Sequence, residues 1–459
     1  MGLFRAQTPT LHHADHTVTL RTKAGTATTL ADFAAPLIPP FEGNPLLFNG
    51  HLQTVWTAAQ SSDPFTVHYA RHHLVNPLDG GHFAVDFVVP PFTAAEEEQG
   101  EQREPGERGQ QGEEQQGEER GQEQEQGGEH GQEQREKEED LPPRTRHMTL
   151  AEEEALGGDD DRPMLIALHG LSGGSHEVYL RAVLHALVQT DASPGPSPRP
   201  GAGGWAACVV NARGCAQSRI TTPQLFNARW TSDLGAVVRK LSQRFPRRRL
   251  FAIGFSIGGN ILTNYLGEEG AQSGLTAAVV CSNPWNLEVA HKALIRSWAG
   301  REVYSAAMGA NLRRLFERHA PTLTANARID AARVRRGRLL HDFDRDLTAV
   351  VFGYATVGAY YRDASCVDRL LGVRVPTLAL HSEDDPIAMS EALPLDEVLA
   401  NPHIVLATTP GGGHLGWFEW GGGRWFAKPV SLPHPETPGD GGLGRGRRRA
   451  NRADRYATS

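Results

Sequence analysis

Four cysteines are all that the chain contains, Cys208, Cys215, Cys281 and Cys366, and no two stand at a short paired spacing. A disulfide framework is therefore excluded, which fits a reducing compartment. No apolar run reaches the ~18 residues that a spanning helix requires, so no transmembrane segment is expected. The opening residues, MGLFRAQTPTLHHADHTVTL, lack a basic stretch followed by an apolar one, and no secretory leader is expected. Hydrophobic residues are scarce too, at 39%, and the shortage is local. Residues 95–140 hold 18 acidic and 5 basic side chains, a net of −13 against −8 for the whole chain, so the remainder carries +5. The acidity belongs to that stretch and says nothing about the rest. A Glu/Gln/Gly-rich composition buries too little apolar surface to offset chain entropy, so a disordered insertion is expected over 95–150.

What remains is organised. Residues 1–65 read as an irregular N-terminal segment. Over 66–94, FTVHYARHHLV and GHFAVDFVVP flank Asp79-Gly80-Gly81, the pattern of a hairpin. From Pro163 onward, PMLIALHG, WAACVVNARG, LFAIGFS, LTAAVVCSNP, PTLALHSEDD and HIVLATTPG are nearly continuous apolar runs. Runs of that kind suit strands covered on both faces of a parallel sheet. Helical patterns alternate with them: Val178–Val188, Asn260–Leu266, and Leu234, Val237, Val238, Leu241 and Phe245 behind an N-cap at Thr231-Ser232-Asp233. The alternation predicts an α/β protein with a mostly parallel central sheet and flanking helices, its core at 151–285 and 371–426. The stretch between Ser282 and Pro376 is too long for a simple crossover, and a helical cap is expected over 286–370, before the strand PTLALHSEDD. The low-complexity stretch 191–204 reads as a loop, and 427–459, rich in Pro and Gly and then basic, as a disordered tail.

The chemistry concentrates at strand ends. Gly254-Phe255-Ser256-Ile257-Gly258 lies between the strand RLFAI and the helical run NILTNYL. A serine in a sharp strand-to-helix turn needs small residues two before and two after it, and Gly254 and Gly258 supply them. That context makes Ser256 the candidate nucleophile. His169-Gly170-Leu171-Ser172-Gly173-Gly174 ends an earlier strand, where the backbone N–H of Leu171 pairs with that of Ile257 as a candidate oxyanion hole. A dinucleotide fingerprint is not expected at this loop, because Gly170-Leu171-Ser172-Gly173-Gly174-Ser175 does not read G-x-G-x-x-G and Asn211 occupies the position of the acidic residue. His381-Ser382-Glu383-Asp384-Asp385-Pro386 offers the acid after a later strand, with Asp385 chosen and Asp384 its competitor. Gly411-Gly412-Gly413-His414 places His414 in a flexible loop after the last strand. The order Ser256, Asp385, His414 is the one that an α/β-hydrolase fold requires.

At HGLSGGSHEVYLR, NARGC, GFSIGGN, SEDDP and GGGHLGW, with GHLQTVW near the N-terminus, the chain resembles the abhydrolase-domain branch of α/β-hydrolases. That branch takes in the bacterial YheT-type hydrolases, mammalian abhydrolase-domain lipid enzymes and fungal medium-chain fatty acid ethyl ester synthase/esterases. FNGHLQTVWTA and GRWFAKPV are most similar to the fungal members. The family's catalytic serine, aspartate and histidine fall on Ser256, Asp385 and His414. The resemblance implies a serine carboxylesterase or acyltransferase for short- to medium-chain acyl esters, working through an acyl-serine. The acyl group would come from an ester or acyl-CoA and pass to water or an alcohol such as ethanol, with no metal or organic cofactor. The alternatives are a thioesterase or (phospho)lipase with the same three residues, and a non-catalytic scaffold, which the presence of all three disfavours. No nucleic-acid partner is expected. An intracellular place is expected, cytoplasmic or peripherally membrane-associated, and contact with a membrane or lipid-droplet surface stays open. Where the family closes with a helix, Pro429, Pro433, Pro435 and Pro438 predict that it is missing or shortened. The membrane-anchor segment of the mammalian relatives has no counterpart in the sequence.

Overall fold

The strands, in chain order, are β1 (Thr10–His13), β2 (Thr19–Arg21), β3 (Ala27–Thr29), β4 (His68–Val75), β5 (His82–Val89) and β6 (Thr145–His147), then β7 (Met164–Leu168), β8 (Ala206–Val210), β9 (Leu250–Phe255), β10 (Ala277–Cys281), β11 (Thr377–Ser382) and β12 (Ile404–Thr409). Ten of them form one sheet in the order β1-β12-β11-β10-β9-β7-β8-β5-β4-β6. The six central strands, β8-β7-β9-β10-β11-β12, are parallel throughout. The structure is a computed structural model, and it describes residues 6–21, 27–60, 64–92, 141–188, 204–421, 423–431 and 457–458.

The continuous apolar runs have a simple cause. Successive strand residues face opposite sides of a sheet, and here both sides are covered. Ile166, Cys208, Ala252, Ala278, Ala379 and Leu406 belong to one core, and Leu165, Val209, Ile253, Leu380 and Val405 to the other. The helices that concern the site are α1 (Gly50–Ala59), α2 (Val178–Val188), α3 (Ser232–Arg244), α4 (Ile257–Glu269), α5 (Leu287–Arg296), α6 (Ala306–Leu323) and α7 (Val357–Ala364), with α8 (Ala427–Ser431) last. α3 and α4 pack on the first core through Leu234, Val238, Leu262 and Leu266, and α2 on the second through Leu180, Val183, Leu184 and Leu187. Between β10 and β11 the chain runs through α5, the π-helical turn Gly300–Ser305, α6, Ala331–Arg336, Leu340–Phe343 and α7. Leu312, Leu315, Phe316 and Phe343 of this cap close a third apolar cluster over Cys215, Ile220 and Leu225.

Four expectations change. The described part of residues 1–65 is not irregular: β1 pairs antiparallel with β12 at the sheet edge, from Thr10 opposite Thr408 to His13 opposite Val405. A strand reading TLHH shows no apolar alternation, because edge pairing rests on backbone hydrogen bonds. β2 and β3 pair in a small separate sheet with Ala457–Thr458, and α1 follows. The expected insertion 95–150 is ordered at its end, where β6 pairs parallel with β4, Tyr69 opposite Thr145; residues 93–140 lie outside the described residues. At the C-terminal end, Ala427–Ser431 is helical, with Ala427 and Val430 packed on the second core. Residues 432–456, like most of the 191–204 loop, lie outside the described residues. Finally, Thr231 precedes α3 without capping it: its hydroxyl donates to Glu268 at 2.7 Å.

Candidate active site

Phe255 ends β9 and Ile257 begins α4, so the chain has to turn within one residue. Ser256 does so at φ 52° and ψ −122°. A non-glycine residue held at such angles costs on the order of 1–3 kcal/mol, and the packing around it must hold it there. The flanking glycines show what does. A Cβ at 254 would fall 2.5 Å from the carbonyl oxygen of Gly258, and one at 258 would fall 2.5 Å from that of His169. Three stretches of backbone meet at the serine, and no side chain fits between them. The amide end of α4 faces outward at Ser256, where its partial positive charge favours developing negative charge.

Asp385 and His414 reach the same point from β11 and β12. The Asp385 carboxylate is fully buried. Its Oδ1 accepts from the amides of Ile387 and Ala388, both at 2.8 Å, which leaves Oδ2 for His414 Nδ1 at 2.8 Å. With Nδ1 donating there, Nε2 is the acceptor, and Ser256 Oγ lies 2.9 Å from it. The structure therefore brings Ser256, His414 and Asp385 into one hydrogen-bonded line. Asp384 points elsewhere: its Oδ1 accepts from the Ser382 hydroxyl at 2.6 Å and the Gly413 amide at 2.9 Å. Of two neighbouring carboxylates, one faces the imidazole and the other holds the imidazole's loop.

That loop leans on α1. The His414 amide donates to Thr54 Oγ1 at 2.9 Å, and the Phe418 amide to Gln53 Oε1 at 2.8 Å. A Cβ at Gly413, where φ is +60°, would run into the Gly50 carbonyl. His51 of α1 reaches the cap, its Nδ1 2.7 Å from the Tyr304 hydroxyl and the two rings stacked. Gly50, Gln53 and Thr54 all lie in GHLQTVW, so the sequence marked these positions without disclosing that they support the histidine.

The loop after β7 forms the opposite side. His169 is buried there: its Nδ1 donates to the Gly170 carbonyl at 2.6 Å and its Nε2 accepts from the Ala212 amide at 3.0 Å. Burial pushes the imidazole down to about 4, so it serves as a neutral brace. The Gly170 amide is taken by the Tyr179 hydroxyl at 2.8 Å. Leu171 and Ile257 line one cavity with Ser256. Behind the loop, Arg71 forks onto buried Asp86 at 2.7 and 2.9 Å, and Ser175 and Asn211 complete that carboxylate's hydrogen bonds at 2.5 and 2.8 Å. A buried pair with every oxygen satisfied makes a stable anchor.

Side chains of the cap, among them Leu294, Met308, Leu312 and Tyr361, roof the cavity at Ser256. A second cavity, walled by Leu20, Phe33, Leu165 and Trp205, contains no titratable side chain. Among the described residues, no cluster of His, Cys, Asp and Glu is arranged to hold a metal ion. No helix among them is long and apolar enough to cross a membrane.

A doubly covered parallel sheet with a serine at the β9–α4 turn, an acid after β11 and a histidine after β12 defines one class of protein. The chain belongs to the α/β-hydrolase fold family, which it matches over residues 163–419. It is 40% identical over 279 residues to the monoacylglycerol lipase of Saccharomyces cerevisiae, a stretch that covers 60% of this chain and 59% of that one. To the medium-chain fatty acid ethyl ester synthase/esterase 2 of the same yeast it is 31% identical over 420 residues, 85% of this chain and 84% of that one. Phospholipase ABHD3 of Mus musculus is 32% identical over 260 residues, 56% of this chain and 59% of the relative. The chain thus spans less than two thirds of the lipase and of the phospholipase.

Proposed function

We propose that the protein is a serine hydrolase of carboxylic esters, with Ser256 as nucleophile, His414 as general base and Asp385 as the group that orients it. The observation that carries this reading is the line Ser256–His414–Asp385, 2.9 and 2.8 Å long, at a serine held in a positive-φ turn. His414 Nε2 takes the hydroxyl proton as Oγ attacks the ester carbonyl carbon. The amides of Leu171 and Ile257 receive the oxyanion; the neighbouring Gly170 amide is already engaged. Collapse of the intermediate expels the alcohol, which takes the proton from His414, and leaves an acyl-serine. Water then repeats the sequence and frees the acid. An alcohol in place of water would form a new ester, so hydrolysis and alcoholysis share one enzyme form.

Fatty-acid esters of short to medium chain are the substrates this reading favours. The three relatives are named for acting on glycerol, ethyl or phospholipid esters of fatty acids, and the cavity at Ser256 has an apolar wall that suits an acyl chain. Each buried methylene adds about 0.8 kcal/mol until the wall is filled. Assayed across acetyl, butyryl, hexanoyl, octanoyl and palmitoyl p-nitrophenyl esters, kcat/KM should rise through the short chains and level off or fall at palmitoyl. A steady preference for acetyl would contradict the acyl assignment.

A further inference from the structure

GHLQTVW forms most of α1, and the site uses only one side of it. The inward residues Gly50, Gln53 and Thr54 face the His414 loop. The outward residues are Leu52, Val55 and Trp56, all exposed, at spacings of three and four that put them on one face. The turn before the helix adds Leu46, 76% exposed, and Phe48, 62% exposed. A helix at a water-facing surface ordinarily turns its apolar side inward. α1 does the reverse. From Gly43 to Gln60 the chain contains no Asp, Glu, Lys or Arg, so no charge relieves the exposed face. Apolar side chains gathered in this way mark a contact surface.

The face continues onto the cap. His51 stacks on Tyr304 and lies 2.7 Å from its hydroxyl, which fastens α1 to the turn Gly300–Ser305. Exposed apolar side chains recur there: Ile295, Val303 and Trp298, the last 75% exposed. α5 lines the cavity at Ser256 through Leu287, Ala290 and Leu294, so Ile295 follows directly on the cavity wall. The patch therefore borders the chamber in which the ester would react.

Two features choose the occupant. The exposed side chains offer few hydrogen-bonding groups, whereas protein interfaces carry about one hydrogen bond per 100–200 Å². A lipid surface asks for none, and Trp56 and Trp298 suit its boundary with water. The cations of α5 and the turn are neutralised: Lys292 pairs with Glu288, Arg296 with Glu391 and Arg301 with Glu302. Anionic headgroups would call for unpaired cations at that place.

We propose that the outward face of α1, with Trp298 on the cap beside it, seats the protein on a lipid surface without net charge, from which an ester enters the chamber at Ser256. The choice of a lipid occupant rests on the proposed ester chemistry. Ser256, His414 and Asp385 already stand in line, so docking brings the protein to its substrate and is not needed to assemble the site.

The test is flotation of the purified full chain with dioleoylphosphatidylcholine vesicles. Hydrolysis of p-nitrophenyl palmitate carried in those vesicles, and of p-nitrophenyl butyrate in solution, is followed beside it. The wild type should float, and admixed phosphatidylserine or added salt should change the bound fraction less than about twofold. The double variant Leu52→Gln, Trp56→Gln should lower the vesicle partition coefficient about tenfold or more, and Trp298→Gln should lower it by a smaller factor. Hydrolysis in vesicles should fall in step, with kcat/KM for the soluble butyrate unchanged. Absence of flotation, binding that requires phosphatidylserine, undiminished binding of either variant, or self-association that the substitutions abolish in place of vesicle binding would overturn the docking surface. Flotation reads no chemistry, so wild-type protein that floats yet hydrolyses neither ester would remove the esterase reading alone.

Discussion

Asp384 and Asp385 are adjacent and chemically identical, yet their surroundings give them separate tasks. Asp385 presents Oδ2 to His414 while two amides hold its other oxygen. Asparagine there would favour the wrong imidazole tautomer, so Asp385→Asn should lower kcat by about 10,000-fold. Asp384→Asn should instead lower the melting temperature, because it disturbs the hydrogen bonds from Ser382 and Gly413. Kinetics and thermal melts of both variants check the division, and reversed effects would move the acid by one residue. Asp344 is a third case. Burial raises its carboxyl from the ordinary 3.8 to about 6. Its favourable contribution is therefore complete below the unfolded value and is lost as pH rises through about 6. Asp344→Asn removes that titration. Whatever constant offset the substitution brings, the melting temperature of the variant minus that of the wild type should climb between pH 4 and 7. A flat or falling difference would show that the carboxyl is not held as described.

α1 shows at the scale of an element why part of the site escaped the sequence. Its helical spacing leaves Val55 and Trp56 half exposed, so no apolar stripe advertises a buried role. Its importance lies in single hydrogen bonds to a loop about 360 residues further on, such as Thr54 Oγ1 to the His414 amide. Chain patterns do not encode contacts of that range. β1 and β6 were missed for a related reason, being edge strands of four and three residues. By contrast Ser256, Asp385 and His414 each follow a strand whose two buried faces make it readable, and the glycines beside Ser256 answer to backbone contacts that exclude any side chain. Thr54→Val would leave the His414 amide buried without an acceptor. It should cost about 1–3 kcal/mol of stability and lower kcat while KM changes little. Unaltered melting and turnover would mean that α1 only covers the loop.

At the scale of the whole molecule, the long acidic stretch enters where the sheet can tolerate it. Val89 of β5 lies opposite His68 of β4, and Tyr69 of β4 lies opposite Thr145 of β6. The two ends of the intervening chain therefore emerge two strands apart, roughly 10 Å, which a handful of residues spans at about 3.3 Å each. Deleting residues 96–140 should leave melting temperature and specific activity close to those of the full chain, and a large fall in either would give that stretch a structural part. Sheet, cap and the loop braced by α1 converge on Ser256, whose activation is what the proposed function requires. The most direct measurement is labelling of the intact protein by a fluorophosphonate, with the modified residue mapped by mass spectrometry and ester hydrolysis followed in parallel. The expected outcome is stoichiometric labelling at Ser256 with matching loss of activity, and a folded Ser256→Ala variant that neither labels nor hydrolyses. Labelling at another residue, or undiminished hydrolysis by the folded variant, would contradict it.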